Sequence, residues 1–385
     1  MKPAKRMSTI PPSSTLKVLA LAKELQRQGK DIVHMEVGEP DFDTPPHIKK
    51  AAVEALERGA TKYTPSAGTP ELREAIAKHL VGKGISTAAK NVIVTPGAKH
   101  AIFCAMAATL DPGDEVIIPC PCWTYEAIAL TFGAKPVYVE TTQADGFKLR
   151  AERLKKAITP KTKMILLNYP NNPTGAVMKK EELKAVADLA TDHKLWVLSD
   201  EIYDCLVYEG KHASVMGLPG MAERTVYVNG FSKAYAMTGW RLGYAVAPAE
   251  LVAEMDKIQQ ASTSCVAGFV QAAGLAALQG PQDCVEKMRK EYHKRRDAIV
   301  EGLNSIDGFE CAKPDGAFYA FPSIKKLGIS SLEFCERLLR EVGVAAVPGS
   351  GFGPYGEGHV RFSYATSMEN IKKAIERVKS VVKNL

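Results

Sequence analysis

The sequence predicts an α/β protein. A large unit carries a mostly parallel seven-stranded sheet with helices on both faces, and a smaller α+β unit accompanies it. Three observations point there. Short apolar runs recur at 92–95, 115–119, 136–140, 164–168, 195–199, 225–229 and 243–247. Most are continuous rather than alternating, as strands covered on both faces must be. Helical stretches such as 98–110 and 181–193 separate them, which is the pattern of a layered sheet. Ligands of such sheets sit at the carboxyl ends of the strands, and Asn168, Asp200 and Lys233 each fall just after an apolar run.

In chain order, a basic, proline-containing tip precedes a helix predicted over 16–28, capped by Ser14 or Thr15 and stopped at Gly29. A strand over 32–37 leads into Gly38-Glu39-Pro40-Asp41-Phe42-Asp43-Thr44-Pro45, where Gly38 permits close approach of a ligand to the backbone. Helices over 46–58 and 71–80 flank a loop containing Tyr63. The sheet follows. Beyond residue 281 the pattern changes: the charge-dense stretch 287–296 predicts the wet face of a long helix, and shorter strands and helices over 331–342 and 367–384 follow. The expected division is 46–281 for the large unit, and 1–45 together with 282–385 for the small one.

Composition fits a soluble globular protein, with 46% apolar and 24% charged residues in 385. The net charge of +7 suits anionic ligands but does not argue for nucleic acid, since acids and an aromatic interrupt the basic run. Eight cysteines are scattered; Cys120 and Cys122 flank a proline and no second pair supports a metal site. They read as buried thiols of a reducing cytosol, so the expected location is cytoplasmic. No run reaches the ~18 apolar residues of a membrane span, and no secretory pattern follows the basic start.

Five stretches carry chemistry. Lys233, in Asn229-Gly230-Phe231-Ser232-Lys233-Ala234, has small neighbours, so a bulky carbonyl ligand can reach its amine. Taken alone it is equally a surface lysine. Thr95-Pro96-Gly97-Ala98-Lys99 joins a strand to a helix, and Gly97 lets the first helical amides converge on an anion such as phosphate. Asn171-Asn172-Pro173-Thr174-Gly175 is a rigid turn presenting amides. Asp200 ends a strand with Tyr203 three residues on; it either caps a helix over 201–204 or holds a heteroaromatic nitrogen protonated. Arg361 lies among apolar residues on a short strand, which suits a paired guanidinium. The run Gly349-Ser350-Gly351-Phe352-Gly353 lacks the βαβ context of a dinucleotide loop and reads as a flexible loop near the site.

Taken together, from Gly38-Glu39-Pro40-Asp41-Phe42 to Ser363-Tyr364-Ala365-Thr366, these residues resemble the class I, fold-type I aminotransferases that depend on pyridoxal 5'-phosphate. The nearest branch is the bacterial and archaeal aspartate type. The resemblance implies that Lys233 carries the cofactor covalently and moves the substrate proton. It implies that Asp200 pairs with the pyridine nitrogen, that Tyr203 and Asn172 bond the phenolic oxygen, and that Trp123 stacks on the ring. Gly97, Ala98, Lys99, Ser232 and Arg241 would surround the phosphate, with Tyr63 reaching that of a neighbouring subunit in a homodimer. Arg361 would clamp the substrate carboxylate beside Gly38, Trp123 and Asn172. Lys99 and Thr15 stand where that branch meets the distal carboxylate of an acidic substrate. A departure is Gly230, where many relatives carry a serine or threonine. The expected activity is ping-pong transfer between an L-amino acid, foremost aspartate, and 2-oxoglutarate. Aromatic, prephenate or alanine donors and a cystathionine β-lyase remain open; a silent ligand-sensing regulator is disfavoured, because residues before Leu16 leave no room for a DNA-binding domain.

Overall fold

The computed structural model describes residues 3–12 and 14–385. Its elements are α1 (Ser14–Arg27), β1 (Val33–His34), α2 (Pro46–Glu57), α3 (Pro70–Gly82), β2 (Val92–Thr95), α4 (Ala98–Thr109), β3 (Glu115–Cys120), α5 (Glu126–Thr131), β4 (Lys135–Glu140), α6 (Ala151–Ala157), β5 (Thr162–Asn168), α7 (Lys180–Asp192), β6 (Trp196–Asp200), β7 (Thr225–Gly230) and β8 (Gly243–Val246). There follow α8 (Ala249–Ser262), α9 (Gly268–Gln279), α10 (Asp283–Asn304), β9 (Tyr319–Ala320), α11 (Ser331–Val342), β10 (Val344–Ala345), β11 (Val347–Pro348), β12 (Val360–Ser363) and α12 (Met368–Val382).

Seven strands form one sheet in the order β2-β8-β7-β6-β5-β3-β4, parallel except that β8 runs against both β2 and β7. The exception has a simple cause. No crossover helix separates β7 from β8, and a strand that returns by a short turn pairs antiparallel. Successive strand residues serve opposite faces. Met164 and Leu166 join a cluster with α4 and α8, whereas Ile165 and Leu167 join one with α7. A third cluster packs α2, α3 and α9 against β2, β7 and β8.

A separate core gathers α10, α11, α12, β9 and β12 with Val33 and Met35 from the N-terminal segment. β1 pairs in parallel with β10, which ties the chain's beginning to its last third. Ile202, Tyr203, Leu206 and Tyr208, from the turn after β6, enter this same core. The turn that carries the candidate chemistry is therefore gripped from both sides.

Several expectations are corrected. The first helix begins at Ser14, so Thr15 lies within its first turn instead of capping it; the Ser14 side chain lies outside the described residues. The strand expected over 32–37 is two residues long. No helix forms over 201–204, where turns run over 202–205, so Asp200 caps none. The run 287–296 is not simply wet: Met288, Tyr292, Arg295 and Arg296 are buried. Arg295 pairs with Asp41 at 2.7 Å, and Arg296 lies 5.0 Å from the Tyr208 ring, which shields both guanidinium groups. The glycine run at 349–353 is a packed 3-10 turn with Gly349 and Phe352 buried.

Candidate active site

The ends of β5, β6 and β7 lie side by side, so Asn168, Asp200 and the turn after Gly230 converge without long loops. Asn168 fastens them: its amide donates to the Asp200 carbonyl at 3.1 Å and its oxygen accepts from the Asn172 backbone at 3.0 Å. Above these ends opens a cavity of about 490 Å³. Thr15, Gly38, Ala98, Lys99, Trp123, Asn172, Asp200, Tyr203, Ser232, Lys233, Arg241 and Arg361 all line it. Of the sequence-predicted residues, Gly97 lies just behind Arg241, and Tyr63 is elsewhere, 90% exposed.

Asp200 forms the floor. One carboxylate oxygen accepts from the Tyr125 hydroxyl at 2.8 Å and the other from the Ile202 amide at 3.2 Å. Burial nonetheless pushes its pKa up to about 6, against the pull of those two bonds. Lys233 faces it from the β7–β8 turn and donates to the Gly38 carbonyl. Burial lowers its pKa to about 8, with Glu39 opposing the fall. An amine so placed is substantially neutral near pH 8 and therefore nucleophilic. Tyr203 shares a 2.7 Å hydrogen bond with Tyr319, and burial holds its phenol protonated far above the usual range.

One end of the cavity is an anion cradle. The first amides of α4 have no partner within the helix and point outward. Gly97 adopts φ 84°, and a Cβ there would lie 2.8 Å from the Arg241 Cζ, so glycine is what lets the guanidinium lie against the helix start. Arg241 itself donates to the Thr238 carbonyl at 2.9 Å. Gly230 contributes nothing here: a Cβ would fall 2.9 Å from the Gly243 Cα, so β8 fills the space a hydroxyl would need. Ser232, by contrast, lines the cavity.

The other end holds Arg361, fully buried. Its guanidinium donates to Asn172 Oδ1 at 3.1 Å and to the Glu36 carbonyl, and lies 4.6 Å from the Tyr319 ring. Its Nε is buried without a partner, and burial lowers its pKa. Gly38 sits against Tyr319, where a Cβ would lie 3.2 Å from the ring Cζ. Lys99 reaches over Trp123, with its amine 4.6 Å from the ring centre. Burial and then the Arg241 charge lower its pKa.

Sequence reasoning missed Tyr125 and Tyr319. Tyr125 follows Trp123 by two residues but signals nothing until β3 and β6 are seen near each other; Tyr319 comes from the other core. Among the described residues no cluster of side chains could hold a metal, and no helix is long and apolar enough to cross a membrane.

The arrangement fits pyridoxal phosphate: a buried carboxylate for a ring nitrogen, a depressed amine beside it, and helix amides with an arginine for a phosphate. The family description "Aminotransferase class I and II" matches residues 30–378. The aspartate aminotransferase of Pyrococcus abyssi is 44% identical, with 98% of this chain and 97% of that protein covered. An aromatic-amino-acid aminotransferase of Thermococcus litoralis is also 44% identical over 98% of this chain and 97% of its own. Among solved structures, the Thermus thermophilus aspartate aminotransferase with maleate superposes at a TM-score of 0.95 with 46% identity, covering 99% of this chain and 100% of that one. The chain belongs to the class I and II aminotransferases.

Proposed function

We propose that this aminotransferase takes its amino group foremost from aspartate and delivers it to 2-oxoglutarate. The observation that carries the reading is a cavity lined by two cations, the buried Arg361 and Lys99, together with Thr15. A dicarboxylate pairs with both. An apolar side chain would leave the Lys99 charge without a carboxylate, which is costly in a partly dehydrated site.

Pyridoxal phosphate, the cofactor of this family, supplies an electron sink for the charge left at the substrate Cα. The residues do the rest. Arg361, backed by Asn172, clamps the α-carboxylate and fixes the Cα hydrogen toward Lys233. Lys233 Nζ, its pKa lowered to about 8 by burial, takes that proton in its neutral form. Asp200, held ionised by Tyr125 and the Ile202 amide, keeps the ring nitrogen cationic. Tyr203 offers its hydroxyl, oriented by Tyr319, to the ring oxygen. Arg241 and the α4 amides anchor the phosphate.

The active unit in this reading is a cytoplasmic homodimer. Tyr63, which is 90% exposed, would reach a neighbouring copy's phosphate in that dimer. Residues 46–281 act as the cofactor-binding domain, and 1–45 with 282–385 as the smaller one.

The test is a panel of single amino acids added to the yellow holoprotein, read by visible absorbance. Bleaching by aspartate and glutamate, with little response to alanine or phenylalanine, is expected. A response to phenylalanine alone, as the Thermococcus relative's name would suggest, removes the aspartate reading.

A further inference from the structure

Behind Arg361 lies an acid that nothing above uses. Glu36 follows β1, its side chain is wholly buried, and its Oε2 has no hydrogen-bond partner. Its Oε1 accepts from His34 Nδ1 at 2.8 Å. Its backbone carbonyl accepts from Arg361, so the same residue touches the clamp directly. Among the described residues the hydrogen-bond partners of Arg361 are neutral, Asn172 and that carbonyl. A buried guanidinium with no carboxylate on it draws compensation from the buried groups around it. The Tyr319 and Tyr203 phenols and then Glu36 oppose the fall that burial causes, and Glu36 is the carboxylate among them.

His34 stands at the outer end of this line. Its side chain is 31% exposed, so protons exchange with solvent. Both ring nitrogens face acceptors, Glu36 Oε1 on one side and Gln26 Oε1 at 3.3 Å on the other. That satisfies the doubly protonated ring.

We propose that Glu36 is the resident counter-ion of Arg361, and that the charge on His34 sets how strongly the clamp feels it. With His34 protonated, Glu36 is neutralised from outside and Arg361 presents its full charge to an incoming carboxylate. With His34 neutral, Glu36 turns its field on Arg361 and competes. Glu36 is thus a positioning residue for substrate affinity, and the proposal rests on Arg361 being the carboxylate site.

The sign follows. The hydrogen bond to Glu36 raises the His34 pKa above its ordinary 6.5, with burial and Lys23 opposing. Full carboxylate affinity is therefore present below 6.5 and is lost as pH rises through the higher value. The other charges around β1 are spoken for: Lys373 and Arg377 of α12 both pair with Asp31 at 2.6 Å. Within the cavity Asp200, Lys233 and Lys99 also titrate, so the His34 contribution is read as a difference between variants.

The experiment is calorimetric titration of the holoprotein with maleate, in two buffers of different ionisation enthalpy, between pH 6 and 9. Glu36→Gln is expected to bind maleate roughly tenfold more tightly at the alkaline end, the size of one charge acting over several ångströms in a protein interior. His34→Gln is expected to weaken binding near pH 6 while Glu36 is present and to change nothing when Glu36→Gln is also present. It should also lose part of the proton uptake that accompanies binding, and this arm stands even where Glu36→Gln does not fold. Equal losses from His34→Gln in both backgrounds, unchanged proton uptake, or no tightening in Glu36→Gln overturns the proposal. Arg361→Gln separates the two levels. If it binds maleate as well as the unaltered chain, the carboxylate clamp itself is misplaced. If it loses maleate while the Glu36 variants stay flat, only the counter-ion role falls.

Discussion

Replacing Tyr125 by phenylalanine removes one hydroxyl, at the floor of the cavity. That hydroxyl donates to an Asp200 oxygen at 2.8 Å, and both residues are buried. A hydrogen bond to a charged group is worth about 1.5–3 kcal/mol, and 1.36 kcal/mol corresponds to about one pH unit. Asp200 already titrates at about 6 because burial outweighs its two bonds. Losing one of them carries the half-ionisation point to about 7–8, so at neutral pH much of the carboxylate is protonated. A protonated Asp200 cannot hold a ring nitrogen cationic. The assay is the dissociation constant of pyridoxal phosphate from the protein, measured by visible absorbance across pH 5 to 9. In the unaltered chain affinity should fall off below about pH 6. In Tyr125→Phe the same fall should begin one to two pH units higher, with the two curves meeting at the alkaline end. A pH-independent loss would mean that Tyr125 only shapes the floor. Coincident curves would mean that Asp200 does not govern cofactor binding.

Asp200→Asn should separate function from stability. A buried acid with a raised pKa loses stability as pH rises through the window from 3.8 to about 6, so the amide should stabilise the cofactor-free protein at pH 7, on the order of 2 kcal/mol by denaturant midpoint, while transamination disappears. Lys233→Ala should cut turnover by at least about a hundredfold, the usual share of a positioned base, and borohydride should no longer fix the cofactor to the peptide containing residue 233. Lys99→Ala should lower kcat/KM for aspartate far more than for phenylalanine; equal losses would leave Lys99 as a phosphate contact only. Gly230→Ser should not strengthen cofactor binding, since its side chain would meet β8; a destabilisation of about 1–3 kcal/mol is expected in thermal unfolding. Lys83→Met should cost about 3–5 kcal/mol, because it leaves the buried Asp204 carboxylate, 2.6 Å from the Lys83 amine, without its cation.

The sheet was legible because its strands are covered on both faces, which leaves continuous apolar runs whose ends fall within a residue or two of the observed ones. What was not legible is strand direction. β8 looks like any other buried run, and only the missing helix before it marks the reversal. The helix expected after Asp200 fails for a reason no local pattern carries. Each side chain of that segment is held elsewhere: Glu201 by Ser199, Ser214 and His212, Tyr203 by Tyr319, and Asp204 by Lys83. Those tertiary bonds outweigh the few hydrogen bonds that one helical turn would gain. The same bonds keep Asp200 and Tyr203 facing the cavity, so the departure from local preference is also what builds the site.

The site divides along the same line. Lys233, Asp200 and Arg361 announce themselves because a charge just after or within an apolar run is unusual. Residues that act on those charges do not. Tyr125, Tyr319 and Glu36 are an aromatic just before a short helix, an aromatic in a strand and an acid beside a two-residue strand, each unremarked until folding sets it against a partner far away in the chain. Yet they decide whether the visible residues work. The Tyr125 hydroxyl pulls the Asp200 pKa down against burial, and burial is what lowers the Lys233 pKa. The two glycines Gly38 and Gly97 belong with this second group: each is the imprint of a larger side chain, Tyr319 and Arg241, pressed against its backbone. A strand-end charge therefore marks where chemistry is possible, and the pKa at which it operates is written in contacts that only the fold supplies.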